Sequence, residues 1–326
     1  MRCNIREFAA RLLAAVVVLV VATGACAQAF PNRPITFVFP YPAGSGLDTA
    51  MRTLSQEAAR RLGQPVVVGS RPGAGGRVGL EVVMRSANDG YTIGAATNAM
   101  TVFQPLIDEK LHVLPGKDYS AIVLAVETPL VLVAGAQGPF RDVKSLLEQA
   151  RANPGKLNGG SSGIGTGSHL GIEMINVMAG VKIVHVPFNG ATPVLLAAIS
   201  GDVNMVFSSA EVKPHIASGK LIALATSGTR RWHEFPNVPT LSEAGLPGFV
   251  NGSWTGIIAP PGVPREIVAR LNQAYNEALK TAEVKERLEA AGWVVLGGTP
   301  DEFVTLTRQD MERFRPVIAA ANLKMN

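Results

Sequence analysis

Three glycine-rich segments carry the residues whose types and spacing could bind a small anion. They comprise residues 41–48, 159–169 and 187–192, and each leads from a predicted strand toward a predicted helix. Glycine lets the backbone approach a ligand closely, and the unpaired N–H groups of a helix N-terminus attract negative charge without a lysine or arginine. Three such segments together favour an anion site over three unrelated turns.

The candidate ligand-binding residues come from these segments and from the ends of two further predicted strands. Asp48 also fits the N-cap of the first predicted helix, which is a structural role. With so few charged side chains, the pocket is not expected to hold a strongly cationic ligand. The candidates are Tyr41, Ala43, Gly44, Ser45, Gly46, Leu47, Asp48, Asn98, Ala99, Ser162, Gly163, Ile164, Gly165, Thr166, His169, Phe188, Asn189, Gly190, Ala191 and Ser208.

The second segment also contains a catalytic motif. Residues 159–163 match the Gly-x-Ser-x-Gly nucleophile elbow of hydrolases, which would make Ser161 a nucleophile. In such an elbow the helix begins at the serine, whereas here the glycines continue to Gly167. A secreted serine hydrolase is therefore the alternative to a binding protein. It would need an acid and a histidine later in the chain, for which Asp202, His185, His215 and His233 are available.

The sequence lacks the residues that nucleotide, metal or nucleic-acid binding would require. A P-loop needs a lysine after its glycines, but Gly165 is followed by Thr166. The dinucleotide-binding fingerprint fails at its last glycine, where the chain has Thr49 or Ser168. The histidines have no metal-ligand spacing, and no basic, aromatic-rich surface suggests nucleic acid. We therefore expect no metal, no cofactor, no catalysis and no nucleic-acid partner.

The N-terminus is typical of a secretory signal peptide covering residues 1–29. Three arginines precede the apolar run 12–22, and residues 27–29 form an Ala-x-Ala cleavage site. The run is too short for a bilayer, which needs about 20 apolar residues. Lipidation at Cys26 is the alternative, because residues 24–26 resemble the end of a lipoprotein cleavage site. Either form is exported, and we expect a soluble mature protein in the periplasm.

Cleavage after Ala29 changes the composition that bears on function. The whole chain has 326 residues, two cysteines and a net charge of +5. Three arginines and one glutamate leave with the signal peptide, so 27 basic and 24 acidic residues remain, a charge of +3. No cysteine remains, so the mature chain forms no disulfide and depends on core packing for stability. The small positive charge gives no reason to expect nucleic acid.

Short apolar runs alternate with helical patterns along the mature chain. Because this alternation is typical of an α/β fold, we expect parallel sheets covered by helices on both faces. Strands are predicted at 35–39, 66–68, 92–96, 122–125, 130–134, 183–186, 205–208 and 221–226. Helices are predicted after Asp48 and at 78–86, 143–151, 168–179, 264–280, 282–290 and 300–320.

A chain of this length usually forms two domains, and this one has no flexible linker. We therefore expect the backbone to cross between domains twice, near residues 127–130 and 251–254. Residues 30–127 and 254–326 would form lobe 1, and residues 128–253 would form lobe 2. The ligand cleft would lie between the lobes, where the carboxyl ends of strands meet helix N-termini.

Motifs along the whole mature chain resemble one family, the TctC or Bug solute-binding proteins of tripartite tricarboxylate transporters. The chain departs from the usual pattern at 188–190, where the family has Tyr-Lys/Arg-Gly, and at Ser45, where glycine is common. The matching residues are 34–35, 39–44, Asp48, 70–76, 89–92, 153–157, 162–166, 169–170, 185–190, 239–240, 243–245 and 254–256.

The resemblance implies a monomeric, two-lobed periplasmic-binding-protein fold of the type II-like Venus-flytrap kind, each lobe a mostly parallel sheet flanked by helices. It further implies that the lobes close over a small mono- or dicarboxylate. Backbone N–H groups, hydroxyls and bridging waters would hold the carboxylate, with residues 44–47 in one lobe and 162–166 and 189–191 in the other. The implied partner is the membrane permease of the transporter, or else a sensor receptor.

Overall fold

The computed structural model describes residues 30–108, 111, 113–188, 190–320 and 323. The predicted signal peptide, with Cys26, and the candidate residue Asn189 lie outside these residues. Among the helices that are described, none combines the length and the apolar character needed to cross a membrane.

Strands and helices alternate along the described chain. Most predicted elements are confirmed with small shifts of their ends, whereas β6, β10 and β11 are absent from the sequence prediction. The strands are β1 (Ile35–Phe39), β2 (Val66–Ser70), β3 (Thr92–Thr97), β4 (Ser120–Pro129), β5 (Val131–Gly135), β6 (Leu157–Ser161), β7 (Ile183–Pro187), β8 (Met205–Ser208), β9 (Leu221–Thr226), β10 (Gly252–Ala259) and β11 (Val294–Val295). The helices are α1 (Gly46–Leu62), α2 (Arg77–Met84), α3 (Gln104–Ile107), α4 (Val143–Ala152), α5 (Gly167–Ala179), α6 (Ala191–Ser200), α7 (Lys213–Ala217), α8 (Arg265–Leu279), α9 (Ala282–Ala290) and α10 (Pro300–Ala320).

These strands form two sheets, which confirms the two-lobed α/β architecture. The six-stranded sheet has the order β11-β4-β10-β3-β1-β2, and the five-stranded sheet has the order β7-β6-β8-β5-β9. β1 runs parallel to β2 and β3, and β6 runs parallel to β7 and β8. β10 is antiparallel to β3 and β4, and β5 is antiparallel to β8 and β9.

The expectation of mostly parallel sheets is wrong, because both sheets are mixed. A strand runs parallel to its neighbour only when a crossover of a dozen or more residues, usually a helix, returns the chain to the same end. β4 and β9 end where the chain leaves their sheets, and β5 and β10 begin where it enters them. β10 therefore runs antiparallel to β4, and β5 runs antiparallel to β9.

The two connections between the sheets are hydrogen-bonded side by side. The Ser227 amide donates to the Leu130 carbonyl oxygen at 2.8 Å, and the Leu130 amide donates to Ser227 Oγ at 2.8 Å. Ser227 Oγ in turn donates to the carbonyl oxygen of Asn251. We call residues 130, 227 and 251 the crossing segment. The lobe boundaries at 127/128 and 253/254 stay a prediction.

The largest buried apolar cluster contains residues of both lobes. It includes Phe103, Phe207 of β8 and Phe314 of α10, and the rings of Phe103 and Phe314 pack edge to face with centroids 4.9 Å apart. A second cluster packs α1 and α8 against the six-stranded sheet, and a third packs α6 against the five-stranded sheet. Because α10 contacts both β4 and α5, it joins the lobes beside the crossing segment.

Candidate functional site

A cavity of about 520 Å³ lies between the lobes. Lobe 1 contributes the end of β3 with the helical turn that follows it, and lobe 2 contributes the loop that leads into α5. We call it the cleft cavity. Its lining residues are Tyr41, Gly75, Asn98, Ala99, Phe103, Gln104, Ile107, Ile164, Gly165, Thr166, Gly167, Gly252, Ser253 and Leu323.

Six of the predicted site residues line this cavity, and the other described candidates do not. Tyr41, Asn98, Ala99, Ile164, Gly165 and Thr166 are the six. A contact of the remaining candidates with a ligand stays a prediction. A larger surface cavity of about 1080 Å³, between residues 230–236 and α8 with β11, contains no predicted site residue. It lacks the glycine-rich segments, so we place the candidate site in the smaller cavity between the lobes.

Most polar groups of the loop before α5 form hydrogen bonds within the loop or with the first turn of α5. Thr166 is the N-cap of α5 and accepts a hydrogen bond from the His169 amide. The Ser162 amide donates to Ser168 Oγ at 3.0 Å, and the Gly165 amide donates to His169 Nδ1 at 3.1 Å. Gly163 and Gly165 have φ angles of 148° and 75°, which other residues rarely adopt. The glycines therefore shape the loop more than they donate to a ligand.

The first turn of α5 supplies the donors that remain. The amides of Gly167 and Ser168 have no acceptor among the described residues, as expected for the first residues of a helix. The helix dipole places partial positive charge at this same end. Gly167 lines the cleft cavity, so an anion there meets an unpaired amide. Gly167 was not among the predicted site residues, although a helix predicted to start at 168 already indicated unpaired first-turn amides at this place.

Asn98 forms the lobe 1 side of the polar end of the cavity. Its side chain is almost fully buried, and Nδ2 donates to the Gly252 carbonyl oxygen at 2.7 Å. Nearby, the Tyr41 hydroxyl lies 3.0 Å from Thr97 Oγ1. Burial raises the pKa of Tyr41, so the phenol stays protonated at neutral pH. These groups bring hydrogen-bonding capacity to the site without adding a charge.

The segment 43–48 lies outside the cleft cavity and is arranged differently from the prediction. The N-cap of α1 is Ser45 and not Asp48, because Ser45 has extended backbone angles and its Oγ accepts from the Asp48 amide at 3.1 Å. The Asp48 carboxylate accepts from the Gly44 amide at 2.9 Å and pairs with Arg52 at 3.0 Å. Burial acts to raise the pKa of Asp48, but the hydrogen bonds from Arg52 and Gly44 outweigh it and the pKa is lowered.

Those contacts leave the amides of Gly46 and Leu47, in the first turn of α1, without an acceptor among the described residues. The third segment lies beside the second. The Phe188 amide donates to the Ser161 carbonyl oxygen at 2.9 Å, and the Gly190 amide donates to that of Ser162 at 3.1 Å. Helix α6 begins at Ala191, so the amides of its first turn lie next to the α5 loop. Ser208 is buried and donates to Glu211 at 2.9 Å.

A pair formed by a buried serine and a half-buried histidine lies beneath the α5 loop. Ser161 Oγ is 2.6 Å from His185 Nε2, and the rings of His185 and His169 stack with centroids 3.5 Å apart. His169 Nε2 lies 3.7 Å from Glu173 Oε1. Burial, together with the neighbouring His169, lowers the pKa of His185 to about 4, so His185 is neutral at pH 7.

This pair does not have the geometry of a nucleophile elbow. Ser161 ends β6 and is fully buried, while α5 begins only at Gly167. The glycine-rich loop that was predicted at 159–169 therefore starts only at Ser162, because residues 159–161 belong to β6. Asp202 accepts a hydrogen bond from Ser200 at 2.7 Å and is not paired with His185 among the described residues. Within the described part of the chain, no three His, Cys, Asp or Glu side chains are grouped to hold a metal.

Comparisons with known proteins identify the family of the chain. Residues 50–323 match the model of the tripartite tricarboxylate transporter family receptor, TctC. A UPF0065 protein encoded in the tcbD-tcbE intergenic region of Pseudomonas sp. strain P51 is 36% identical over 324 residues, which cover 97% of this chain and 95% of that protein.

Two solved structures share the fold along nearly their whole lengths. A TctC solute-binding protein from Polaromonas is 27% identical with a TM-score of 0.81, over 89% of this chain and 99% of that one. MatC from Rhodopseudomonas palustris, solved with bound malate, is 32% identical with a TM-score of 0.68, over 89% of this chain and 100% of that one. The chain therefore belongs to the TctC family, the periplasmic solute-binding receptors of tripartite tricarboxylate transporters.

Proposed function

We propose that the protein captures a small carboxylate in the cleft cavity and delivers it to the membrane permease of a tripartite transporter. Membership of the receptor family supports the transport role, and a 32%-identical relative solved with malate supports the ligand class. A receptor of a sensing system is the alternative partner. In either role the protein binds without catalysis, acts as a monomer in the periplasm after signal cleavage, and uses no metal or cofactor.

One observation carries this proposal. The amides of Gly167 and Ser168 in the first turn of α5 have no acceptor among the described residues, and Gly167 lines a cavity that no described cationic side chain lines. A carboxylate bound there accepts charge-assisted hydrogen bonds, which are stronger than those between neutral groups. Thr166 and Asn98 also line the cavity, and Asn98 Nδ2 keeps a second N–H besides the one that it donates to the Gly252 carbonyl oxygen. The helix terminus, not an arginine, then neutralises the ligand charge.

We further propose that the lobes close by rotation about the crossing segment. Closure would bring the unpaired amides of Gly46 and Leu47, and the start of α6 with Asn189, Gly190 and Ala191, toward the ligand. Contacts with both lobes give the ligand a higher affinity for the closed state, which shifts the population of conformations toward it. On this view the lobes comprise residues 30–127 with 254–326, and residues 128–253.

A thermal-shift screen of mono- and dicarboxylates on the mature protein tests the proposal. A ligand at one hundred times its Kd stabilises the folded state by about 2.7 kcal/mol, which raises the melting temperature by several degrees. Mass spectrometry of the denatured protein identifies any ligand retained from expression, and refolding removes it before the screen. If refolded, ligand-free protein shows no shift with any carboxylate, the proposed function is wrong.

A further inference from the structure

Away from the α5 N-terminus, the described residues that line the cleft cavity are largely apolar and carry no charge. Phe103 and Ile107 line it from lobe 1, Ile164 lines it from lobe 2, and Leu323 lines it from the C-terminal end of the chain. Among the described lining residues there is no carboxylate, ammonium or guanidinium group. A second negative charge on the ligand would therefore leave water without gaining a counter-ion, which is strongly unfavourable.

Gln104 adds an electrostatic reason against a second carboxylate. Its Nε2 donates to the carbonyl oxygens of Ala74 at 3.4 Å and Gly75 at 3.2 Å, which fixes the orientation of the amide. Its Oε1 is buried and has no donor among the described residues. The side-chain amide thus uses its donor on the backbone of lobe 1 and carries no charge that could pair with a second carboxylate. This wall of the cavity therefore favours an uncharged group.

Ile164 gives the ligand an apolar surface from lobe 2. It lies at the tip of the α5 loop, and 70% of its surface is exposed although it is a large aliphatic residue. Ile107, on the opposite wall, is 3.8 Å from the position that a Cβ atom on Gly165 would occupy. Ile107 thus lies across a narrow gap from the residue that follows Ile164, and both isoleucines line the cavity. An apolar ligand placed between them removes hydrocarbon surface from water, which is favourable.

From these walls we infer that the cleft cavity selects a monocarboxylate with an uncharged, mainly apolar body, such as an alkyl chain or an aromatic ring. The carboxylate binds at the first turn of α5, and the body lies among Phe103, Ile107, Ile164 and Leu323. Ile164 and Gln104 determine the specificity against a second charge. The inference rests on the proposed function, because it takes the α5 N-terminus as the carboxylate site.

Titration calorimetry with hexanoate and adipate tests this inference directly. The two acids have the same six-carbon chain and differ only at the far end, which is a methyl group in one and a carboxylate in the other. We expect hexanoate to bind at least tenfold more tightly than adipate. Benzoate and terephthalate form a second pair with the same difference on a ring. Equal or tighter binding of the diacid in both pairs overturns the inference.

The variant Ile164→Arg tests whether this wall sets the preference. An arginine at this exposed position supplies the missing counter-ion, so adipate should gain at least tenfold in affinity while hexanoate loses affinity. Ile164→Gln is the matched control, because it removes the apolar surface without adding charge and should not improve adipate binding. Unchanged affinities for both acids in Ile164→Arg would contradict the assignment of the wall.

The outcomes separate this inference from the proposed function. If adipate and terephthalate bind more tightly than their partners, carboxylate capture stands and only the monoacid inference fails. If none of the four acids binds to refolded protein, while mass spectrometry identifies a retained ligand with no carboxylate, the proposed function fails and the inference fails with it. If hexanamide binds as tightly as hexanoate, the carboxylate site at α5 is wrong even though the apolar body is recognised.

Discussion

Asn251 Nδ2 donates a hydrogen bond of 2.8 Å to the carbonyl oxygen of Gly167. Asn251 belongs to the crossing segment, and Gly167 is the first residue of α5 and lines the cleft cavity. The Asn251 side chain is almost fully buried, so water does not replace this bond when it is lost. The bond therefore ties the proposed carboxylate site to the segment about which the lobes are proposed to rotate.

Asn251→Ala should weaken ligand binding as well as stability. The variant loses a buried hydrogen bond, for which we expect about 1–2 kcal/mol less stability. Because the first turn of α5 is then held less firmly, we also expect roughly tenfold weaker carboxylate binding. Urea unfolding and calorimetry measure the two effects.

Asn272→Ala is the matched control for that variant. Asn272 Nδ2 donates to the carbonyl oxygens of Ile122 and Gly298 at 2.7 and 2.8 Å, and it does not line the cleft cavity. We expect a similar loss of stability with unchanged affinity. Equal effects of both variants on affinity would show that Asn251 has no specific link to the site.

The half-buried His185 should make stability depend on pH. Its pKa is about 4 in the folded protein, below its ordinary value of 6.5, because burial and His169 disfavour the charged ring. As the pH falls from 6.5 to 4, the unfolded state takes up a proton that the folded state does not, so stability is lost. The slope from one group is at most about 1.4 kcal/mol per pH unit, and solvent near this partly exposed ring reduces it.

His185→Gln isolates that contribution, because other groups with shifted pKa values also make stability depend on pH. Burial raises the pKa of Glu127 and of Asp310, so the folded state takes up protons at these groups more readily than the unfolded state. These two groups therefore add stability as the pH falls, opposite to His185. Glu173 and His169, which lie beside His185, are unchanged in the variant. We expect a smaller loss of stability between pH 6.5 and 4 in His185→Gln than in the wild type. Parallel pH profiles from urea unfolding would contradict the assignment.

Ser161→Ala distinguishes a binding protein from a hydrolase. Ser161 is fully buried and hydrogen-bonded to His185, so an ester in the cleft cavity does not reach its Oγ. We expect no turnover of p-nitrophenyl acetate above the buffer rate by the wild type or the variant, and a loss of about 1 kcal/mol in stability from the missing hydrogen bond. Turnover by the wild type that disappears in Ser161→Ala would support the hydrolase instead.

Local patterns predicted much of the fold because they depend on neighbouring residues alone. The continuously apolar run of β1 and the helical period of α5 are examples. β6, with the sequence LNGGS, has almost no apolar residues and forms a strand because β7 and β8 pair with it on both sides. The sequence prediction placed the N-cap of α1 at Asp48 instead of Ser45. Both side chains accept a hydrogen bond from an amide of the same turn, and the sequence alone does not show which of the two residues precedes the helix.

Only some of the residues that line the cleft cavity could be predicted from the sequence. Asn98 and Thr166 were predicted because each follows a strand or precedes a helix, which is visible locally. Phe103, Gln104 and Leu323 were not predicted, since they meet only when α10 packs against α5 and the turn after β3. Contacts between segments that are far apart in the chain depend on this packing and have no local signal.

The amide of Gly167 is the most direct test of the carboxylate site. Proline is tolerated at the first position of a helix, and the preceding Thr166 has extended angles that suit it, so Gly167→Pro removes one N–H group with little other change. Gly167→Ala keeps the amide, and a Cβ there meets Leu130 at an ordinary 3.4 Å. A hydrogen bond to a charged group contributes about 1.5–3 kcal/mol.

The deciding measurement is therefore calorimetry of the wild type, Gly167→Ala and Gly167→Pro with the tightest-binding carboxylate of the screen. The account predicts that Gly167→Ala binds like the wild type, and that Gly167→Pro binds at least tenfold more weakly with unchanged melting temperature of the free protein. Equal affinity of all three proteins would contradict the claim that the first turn of α5 holds the carboxylate.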